Sequence, residues 1–183
     1  MARLFGTDGV RGIANQEPLT PELVFQLGRV GGTFLREKRG ASARGAIIVG
    51  RDTRLSGPML EAALSAGVCA AGADCVSVGV MPTPAIAFLT RALGADGGVV
   101  ISASHNPYED NGIKFFAPTG MKLPDEWEEE MESRLPLLES LPRPIGAKVG
   151  RVLSHPGAEA AYQAFAVGTV PGVRLDGMRI VVD

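Results

Sequence analysis

The sequence predicts an α/β protein: a mixed sheet with helices on both faces, followed by the start of a second α/β domain. Three observations predict it. Short apolar runs recur at residues 46–50, 75–80 and from Gly98 to Ile101, each bounded by turn-forming residues as buried strands are. Between them lie stretches with apolar residues at helical spacing, and strand–helix alternation builds a sheet covered on both sides. Finally, Asn111-Gly112 is a tight-turn signal. It predicts that the next strand, residues 113–117, folds back antiparallel.

Residues 3–12 read as a short strand running into a glycine-rich turn. Gly6, Gly9 and Gly12 let backbone approach a ligand closely. Arg11 lies within this turn, and its guanidinium can fork onto a phosphate. The same local pattern also fits a plain surface arginine. Thr20-Pro21-Glu22 starts a helix, with a capping hydroxyl, Pro in the first turn and an acid at the positive end. Leu23, Leu27, Val30 and Phe34 form its buried stripe, to about Lys38.

A loop over 40–45 leads to strand 46–50 and the turn Arg51-Asp52-Thr53-Arg54. An Arg–Asp pair holding this loop and a ligand-binding role for Arg51 and Arg54 both fit, and neither arginine is assigned a catalytic role. Ser56 is expected to cap the next helix, with Pro58 in its first turn and Leu60, Leu64 and Val68 buried. After strand 75–80, Thr83 is expected to cap a helix that has Pro84 at its first position and runs to Leu93.

The strand from Gly98 ends in Ser104-His105-Asn106-Pro107. Pro107 cannot donate to a ladder and pushes Asn106 away from helical geometry. Ser104 therefore sits on an exposed turn at a strand's carboxyl end, where open α/β sheets bind ligands. The expected turn at Asn111-Gly112 brings Lys114 back toward Ser104. Asp125 then opens an acidic helix with Trp127, Met131 and Leu135 on one side. Its glutamates spread around the axis and read as a solvated face, not a metal site.

Residues 142–150 are Pro/Gly-rich and read as a linker, followed by a helix over 156–167 with Ala160, Ala164 and Phe165 on its apolar side. Residues 177–183 read as a strand left without neighbours, as if the chain were cut at the opening of a second domain. The division expected is 1–145 for the site-bearing domain and 146–183 for linker, helix and first strand of the next.

Composition narrows the field. The 183 residues are 45% hydrophobic and 21% charged, with a net charge of −2. No basic excess favours nucleic acid or an anionic membrane. Cys69 and Cys75 make no C-x-x-C and read as reduced core thiols. His155 reads as a solvent-exposed lone histidine. The amino end has no apolar signal core, and the most apolar stretch, 62–73, is broken by Gly67 and Gly72. A cytoplasmic protein is expected.

A serine flanked by His and Asn, with a Lys returning to it, suits few chemistries. Ser104 and His105 are adjacent, and neighbours on an extended chain point to opposite faces. The only other histidine is His155, and no G-x-S-x-G elbow is present. A serine that carries a phosphoryl group fits better than a hydrolase nucleophile.

The run Ile-Ser-Ala-Ser-His-Asn-Pro-Tyr-Glu-Asp-Asn-Gly-Ile-Lys-Phe-Phe resembles the signature of the α-D-phosphohexomutase family. Leu-Phe-Gly-Thr-Asp-Gly-Val-Arg-Gly near the start and Gly-Arg-Asp-Thr-Arg-Leu-Ser-Gly at 50–57 agree with it in order. The longer match is most similar to the hexosamine-phosphate branch. The resemblance implies the domain 1 fold of that family and interconversion of sugar 6- and 1-phosphates through a bisphosphate. It implies a phosphate on Ser104, with Arg11 contacting phosphate and Lys114 as proton acceptor or electrostatic clamp. His105 and Asn106 would orient phosphate or sugar. Mg²⁺ is the implied cofactor, taking an oxygen of the Ser104 phosphate as a ligand.

The partners implied are a hexosamine phosphate, a hexose bisphosphate, the remaining domains of the same enzyme and a possible second copy. The family's Asp-Gly-Asp-Gly-Asp metal loop does not occur in these residues, so this chain alone is expected to have negligible mutase activity. Mutases of plain hexose phosphates, a non-catalytic sugar-phosphate-binding module and, more weakly, a dinucleotide-binding domain are the alternatives.

Overall fold

The computed structural model describes residues 3–40 and 44–182. Part of the expected 40–45 loop and the last residue of the expected 177–183 strand lie outside them. The strands are β1 (Val10–Ile13), β2 (Ala46–Arg51), β3 (Asp74–Val80), β4 (Gly97–Ile101), β5 (Asp110–Phe116) and β6 (Val152–Ser154). The α-helices are α1 (Pro21–Arg39), α2 (Gly57–Ala70), α3 (Thr83–Ala92), α4 (Asp125–Arg134) and α5 (Ala158–Gly168).

All six strands form one sheet in the order β1-β5-β4-β2-β3-β6. β2, β3, β4 and β6 are parallel, while β5 runs antiparallel to both β4 and β1. The mixed sheet is as expected.

Alternating residues of the same strands feed two cores, as a period of two requires. Ile47, Val49, Val99, Ile101 and Phe115 pack with Leu27, Phe34 and Leu64 of α1 and α2. Ile48, Val100 and Phe116 pack with Ile86 and Leu89 of α3. The chain leaves β2 through α2 to reach β3, then returns through α3 to β4 on the other side of β2. Crossovers of one hand running in opposite directions put their helices on opposite faces. They also leave the carboxyl ends of β2 and β4 side by side, the place where such sheets bind ligands.

Local chemistry explains the elements. The Leu23 amide donates to Thr20 Oγ1 at 3.3 Å, and Gly40 ends α1 in the left-handed conformation at φ 65°. α4 closes one face with Met131 buried and Trp127 edge-on to Phe34 at 5.5 Å.

Several local expectations are corrected. The turn at residues 6–9 precedes β1 instead of following a strand, and Arg11 lies on β1 itself, opposite Gly112. Asn111 and Gly112 are inside β5, and the chain reverses at 104–109. Ser56 makes no capping bond to α2, because its Oγ accepts from Asn111 Nδ2 at 2.9 Å. Pro82, not Thr83, precedes α3. The acidic helix is not solvated all round: Glu128 is buried against Lys122 at 3.2 Å. Glu132 accepts the Leu4 amide at 3.0 Å and the Phe5 amide at 3.3 Å. His155 is half-buried, its amide bonded to Ser77 O at 3.0 Å.

The region after 145 differs most. β6, not anticipated, adds to the edge of β3, and Arg151 donates to Asp74 at 2.6 Å. On α5, Phe165 stacks on Phe88 of α3 at 4.2 Å. Sheet and second core thus continue past residue 145. Residues 178–182 form no strand. Val181 is 94% exposed, and an extended segment without a ladder partner has nothing to hold it as a strand.

Candidate active site

Ser104 lies three residues beyond the end of β4, exposed, with φ at 59°. For a residue with a Cβ this left-handed backbone costs about 1–2 kcal/mol, so neighbours must hold it. The Ser104 amide donates to Ser102 Oγ at 3.0 Å, and Ser102 Oγ donates to Asp52 Oδ2 at 2.7 Å. The loop's own turns are the Asn106 amide to Ala103 O and the Asp110 amide to Pro107 O, both 3.1 Å.

The guanidinium of Arg54 faces this loop. Its Nη2 donates to Ser104 O at 3.2 Å and Asn106 O at 2.8 Å. Its Nη1 donates to Asp110 O at 3.1 Å and to Pro107 O. Its Nε donates to Asp52 Oδ2 at 3.0 Å, so the Arg–Asp pair read from the sequence exists and does more than close its own loop. Arg51 turns away to Glu61 at 2.9 Å. An open hollow of about 440 Å³ lies above, lined by Asp52, Thr53, Arg54, Leu55, Ser104, Asn106 and Tyr108.

His105 Nδ1 is 3.2 Å from Ser104 Oγ. The expectation that these two side chains point apart fails, because they sit on a turn and not on an extended strand. A hydrolase triad still does not form: among the described residues no carboxylate hydrogen-bonds His105 to orient it. Asn106 Nδ2 is engaged by Asp110 Oδ2 at 3.0 Å, so its side chain braces the loop.

Arg11 and Lys114 form a separate cluster. Lys114 pairs across the ladder with Val100, and its Nζ donates to Asp8 Oδ1. Arg11 Nη2 reaches Asp8 Oδ2 at 2.5 Å. Among the described residues no hydrogen bond joins Lys114 to Ser104; the Lys114 ammonium is engaged by Asp8. With the reversal at 104–109, the register sets residue 114 opposite residue 100, and Ser104 lies beyond the ladder.

Lys114's hydrogen bond, reinforced by the charges of Lys114, Arg11 and Lys122, holds the Asp8 carboxyl below the usual aspartate range. Gly112 leaves room for this arrangement: a Cβ there would meet Ser102 O at 2.8 Å and Arg11 Cγ at 3.0 Å. Gly9, at φ 89°, presses on β5, where a Cβ would come within 2.3 Å of Ile113 O. A cleft of about 230 Å³ runs along Gly6, Thr7, Asp8 and Arg11.

Asp8 and Ser102 are the residues that sequence reading missed. Their signal was position alone: a carboxylate in the same glycine-rich turn as Arg11, and a hydroxyl two residues before Ser104 at the strand end. Cys69 and Cys75 are free. Burial pushes the Cys75 thiol up to about 11 and raises that of Cys69, so neither is an activated nucleophile.

Among the described residues no group of three His, Cys, Asp or Glu side chains could hold a metal ion. The donors of the described residues do not by themselves fit Mg²⁺. No helix among the described residues is long and apolar enough to cross a membrane.

Comparison with known proteins accords with this arrangement. Residues 2–140 match phosphoglucomutase/phosphomannomutase, alpha/beta/alpha domain I. The chain is 59% identical to phosphoglucosamine mutase of Desulforudis audaxviator and 54% identical to that of Symbiobacterium thermophilum. Each match covers all of this chain and 40% of the relative. The chain therefore spans about 40% of the length of these curated relatives. Among solved structures, a phosphoglucomutase/phosphomannomutase family protein from Burkholderia thailandensis superposes with a TM-score of 0.75 at 28% identity. That match covers 94% of this chain and 37% of the other.

Proposed function

The chain belongs to the phosphoglucomutase/phosphomannomutase family, and we propose that it is the phosphoserine-bearing portion of a phosphoglucosamine mutase. The observation that carries this reading is Ser104. It is exposed and held left-handed at the carboxyl end of a central strand, with its hydroxyl beside an imidazole. The relatives named phosphoglucosamine mutase, 54–59% identical, support the amino-sugar branch over mutases of plain hexose phosphates.

In the proposed reaction the phosphate on Ser104 moves to the free hydroxyl of glucosamine 6-phosphate. The P–O bond to Ser104 breaks, a P–O bond to the sugar oxygen forms, and the sugar hydroxyl proton ends on the released Ser104 oxygen, which gives it up again when the second phosphate returns. The bisphosphate then returns its other phosphate to Ser104, leaving glucosamine 1-phosphate. A phosphoserine carries about −1.5 to −2 charges, and transfer is catalysed mainly by positioning and charge stabilisation. Arg11 and Lys114 supply the cations, and an incoming phosphate competes with Asp8 for both. His105 and Asn106 shape the loop that presents Ser104.

Mg²⁺ belongs to this proposal as a charge-neutralising ion, with the Ser104 phosphate as the one ligand these residues supply. The remaining domains and a cytoplasmic setting belong to it equally; a division of the chain falls after α5, because β6 adds to the first sheet and α5 packs on α3. Alone, the 183-residue chain should turn over no sugar phosphate.

The test is Ser104→Ala in the whole enzyme. Loss of all mutase activity, together with phosphate found on Ser104 of the parent protein, is the expected result. Retained activity in Ser104→Ala would overturn the reading.

A further inference from the structure

We propose that Arg54 is the positioning residue of the phosphoserine loop. Its one guanidinium gathers four loop carbonyls and so holds Ser104 in its left-handed backbone. This inference rests on the proposed phosphoryl-transfer role of Ser104 and assigns that role a residue outside the reacting atoms.

Residues 102–109 lie past the end of β4, beyond the last rung of its ladder with β5. Their carbonyls need partners. Arg54 supplies them for Ser104, Asn106 and Pro107, and for Asp110 where the loop enters β5. Its side chain is only 10% exposed, so water competes weakly for these donors.

Two further links fix the direction of the guanidinium. Asp52 Oδ2 accepts from Arg54 Nε at 3.0 Å, and Asp52 Oδ1 accepts the Arg54 amide at 3.0 Å. Asp52 also takes Ser102 Oγ, which in turn accepts the Ser104 amide. The peptide units flanking Ser104 are thus tied at both ends. Its N–H goes through Ser102 to Asp52, and its C=O goes directly to Arg54.

A lysine cannot reproduce this arrangement. Guanidinium donors spread in a planar fork, whereas an ammonium presents three donors from one atom. Removing the fork should leave the sheet intact, because β2 and β4 are paired by their own ladder. Ser104 would then relax toward ordinary backbone and carry its oxygen away from the transfer geometry. A displacement on the order of 1 Å can cost about a hundredfold in rate.

Two measurements test this with Arg54→Ala and Arg54→Lys. In the 183-residue chain, amide hydrogen exchange is read at Ser104, Asn106 and Asp110, with β2 and β4 amides as the control. The expected result in both variants is exchange about tenfold or more faster in the loop, with the ladder unchanged. Loop amides as protected as in the parent would overturn the proposal. Loss of ladder protection in both variants would also overturn it, because Arg54 would then be holding the fold and not the loop.

In the whole enzyme, kcat should fall about a hundredfold while KM for the sugar phosphate changes by less than about threefold. A loss expressed in KM alone would overturn the positioning role. A parent enzyme inactive on sugar phosphates would instead refute the proposed function, with the exchange result still reporting on Arg54.

Discussion

Ser104 and Lys114 stand ten residues apart in sequence and are held by opposite means. The serine loop is built from backbone. Its carbonyls converge on one nearly buried guanidinium. The cation cluster is built from side chains. Arg11 and Lys114 meet only on Asp8, a carboxylate whose side chain is 44% exposed. An anion that binds there must replace one negative partner with another. One half is held by backbone bonds, and the other is closed upon its own carboxylate.

Substitutions can separate the two halves. The largest effect should come from Gly9→Ala, since a Cβ at φ 89° would press within 2.3 Å of the Ile113 carbonyl. A loss of about 2–3 kcal/mol is expected, read as a lower urea midpoint at unchanged m. Protection of the Ser104 amide should persist below that midpoint. If that amide opens as well, the two halves are one unit and the contrast fails.

Asp52→Asn attacks the other half. It keeps the shape but removes the charge that receives Arg54 and Ser102, at an expected cost of about 1–2 kcal/mol. Inorganic phosphate binding at Arg11 and Lys114 should stay as in the parent. Weakened binding in a titration would show that the loop also shapes the cation cluster.

Asp8→Asn should barely move stability, because exposed ion pairs contribute about 0.2–1 kcal/mol. The gain should appear in binding: without its competitor, phosphate should bind about two- to fivefold tighter. Weaker binding would mean that Asp8 positions the two cations instead of blocking them.

The smallest effect is in pH. The Asp8 carboxyl lies below its ordinary value of 3.8 in the fold. Its contribution is therefore fully present above that value and disappears as pH falls through the lower folded value. Chemical-shift titration of the Lys114 Nζ environment should show release of the ammonium only below pH 3.8. Release near neutrality would argue against the Asp8 pair.

Much of this was legible in the sequence where local chemistry decides. Thr20 capped its helix as read, and the run from Gly98 became the buried central strand with Ser104 exposed at its end. Reading failed where a tertiary partner overrode a local preference. Asn111-Gly112 has the composition of a tight turn, yet Asn111 is buried on Ser56 and Gly112 lies flat between Arg11 and Ser102. The reversal lies upstream at 104–109, where Arg54 takes the carbonyls. β6 left little trace, because three exposed residues after a Pro/Gly-rich stretch carry no apolar alternation to read. The ion pairs of Asp8 required knowing that the 6–9 turn folds against β5, which no spacing in the glycine-rich segment states.

The margins of the sheet carry a consequence of their own. One side ends in β1, four residues long, and the other in β6, three residues long and exposed throughout. Unpaired backbone along a sheet's rim invites other chains to add to it, and short rim strands are a means of avoiding such growth. Here a neighbour could extend the ladder by only a few residues before running out of template. Crowded, partly folded chains are thus given little rim on which to seed aggregates.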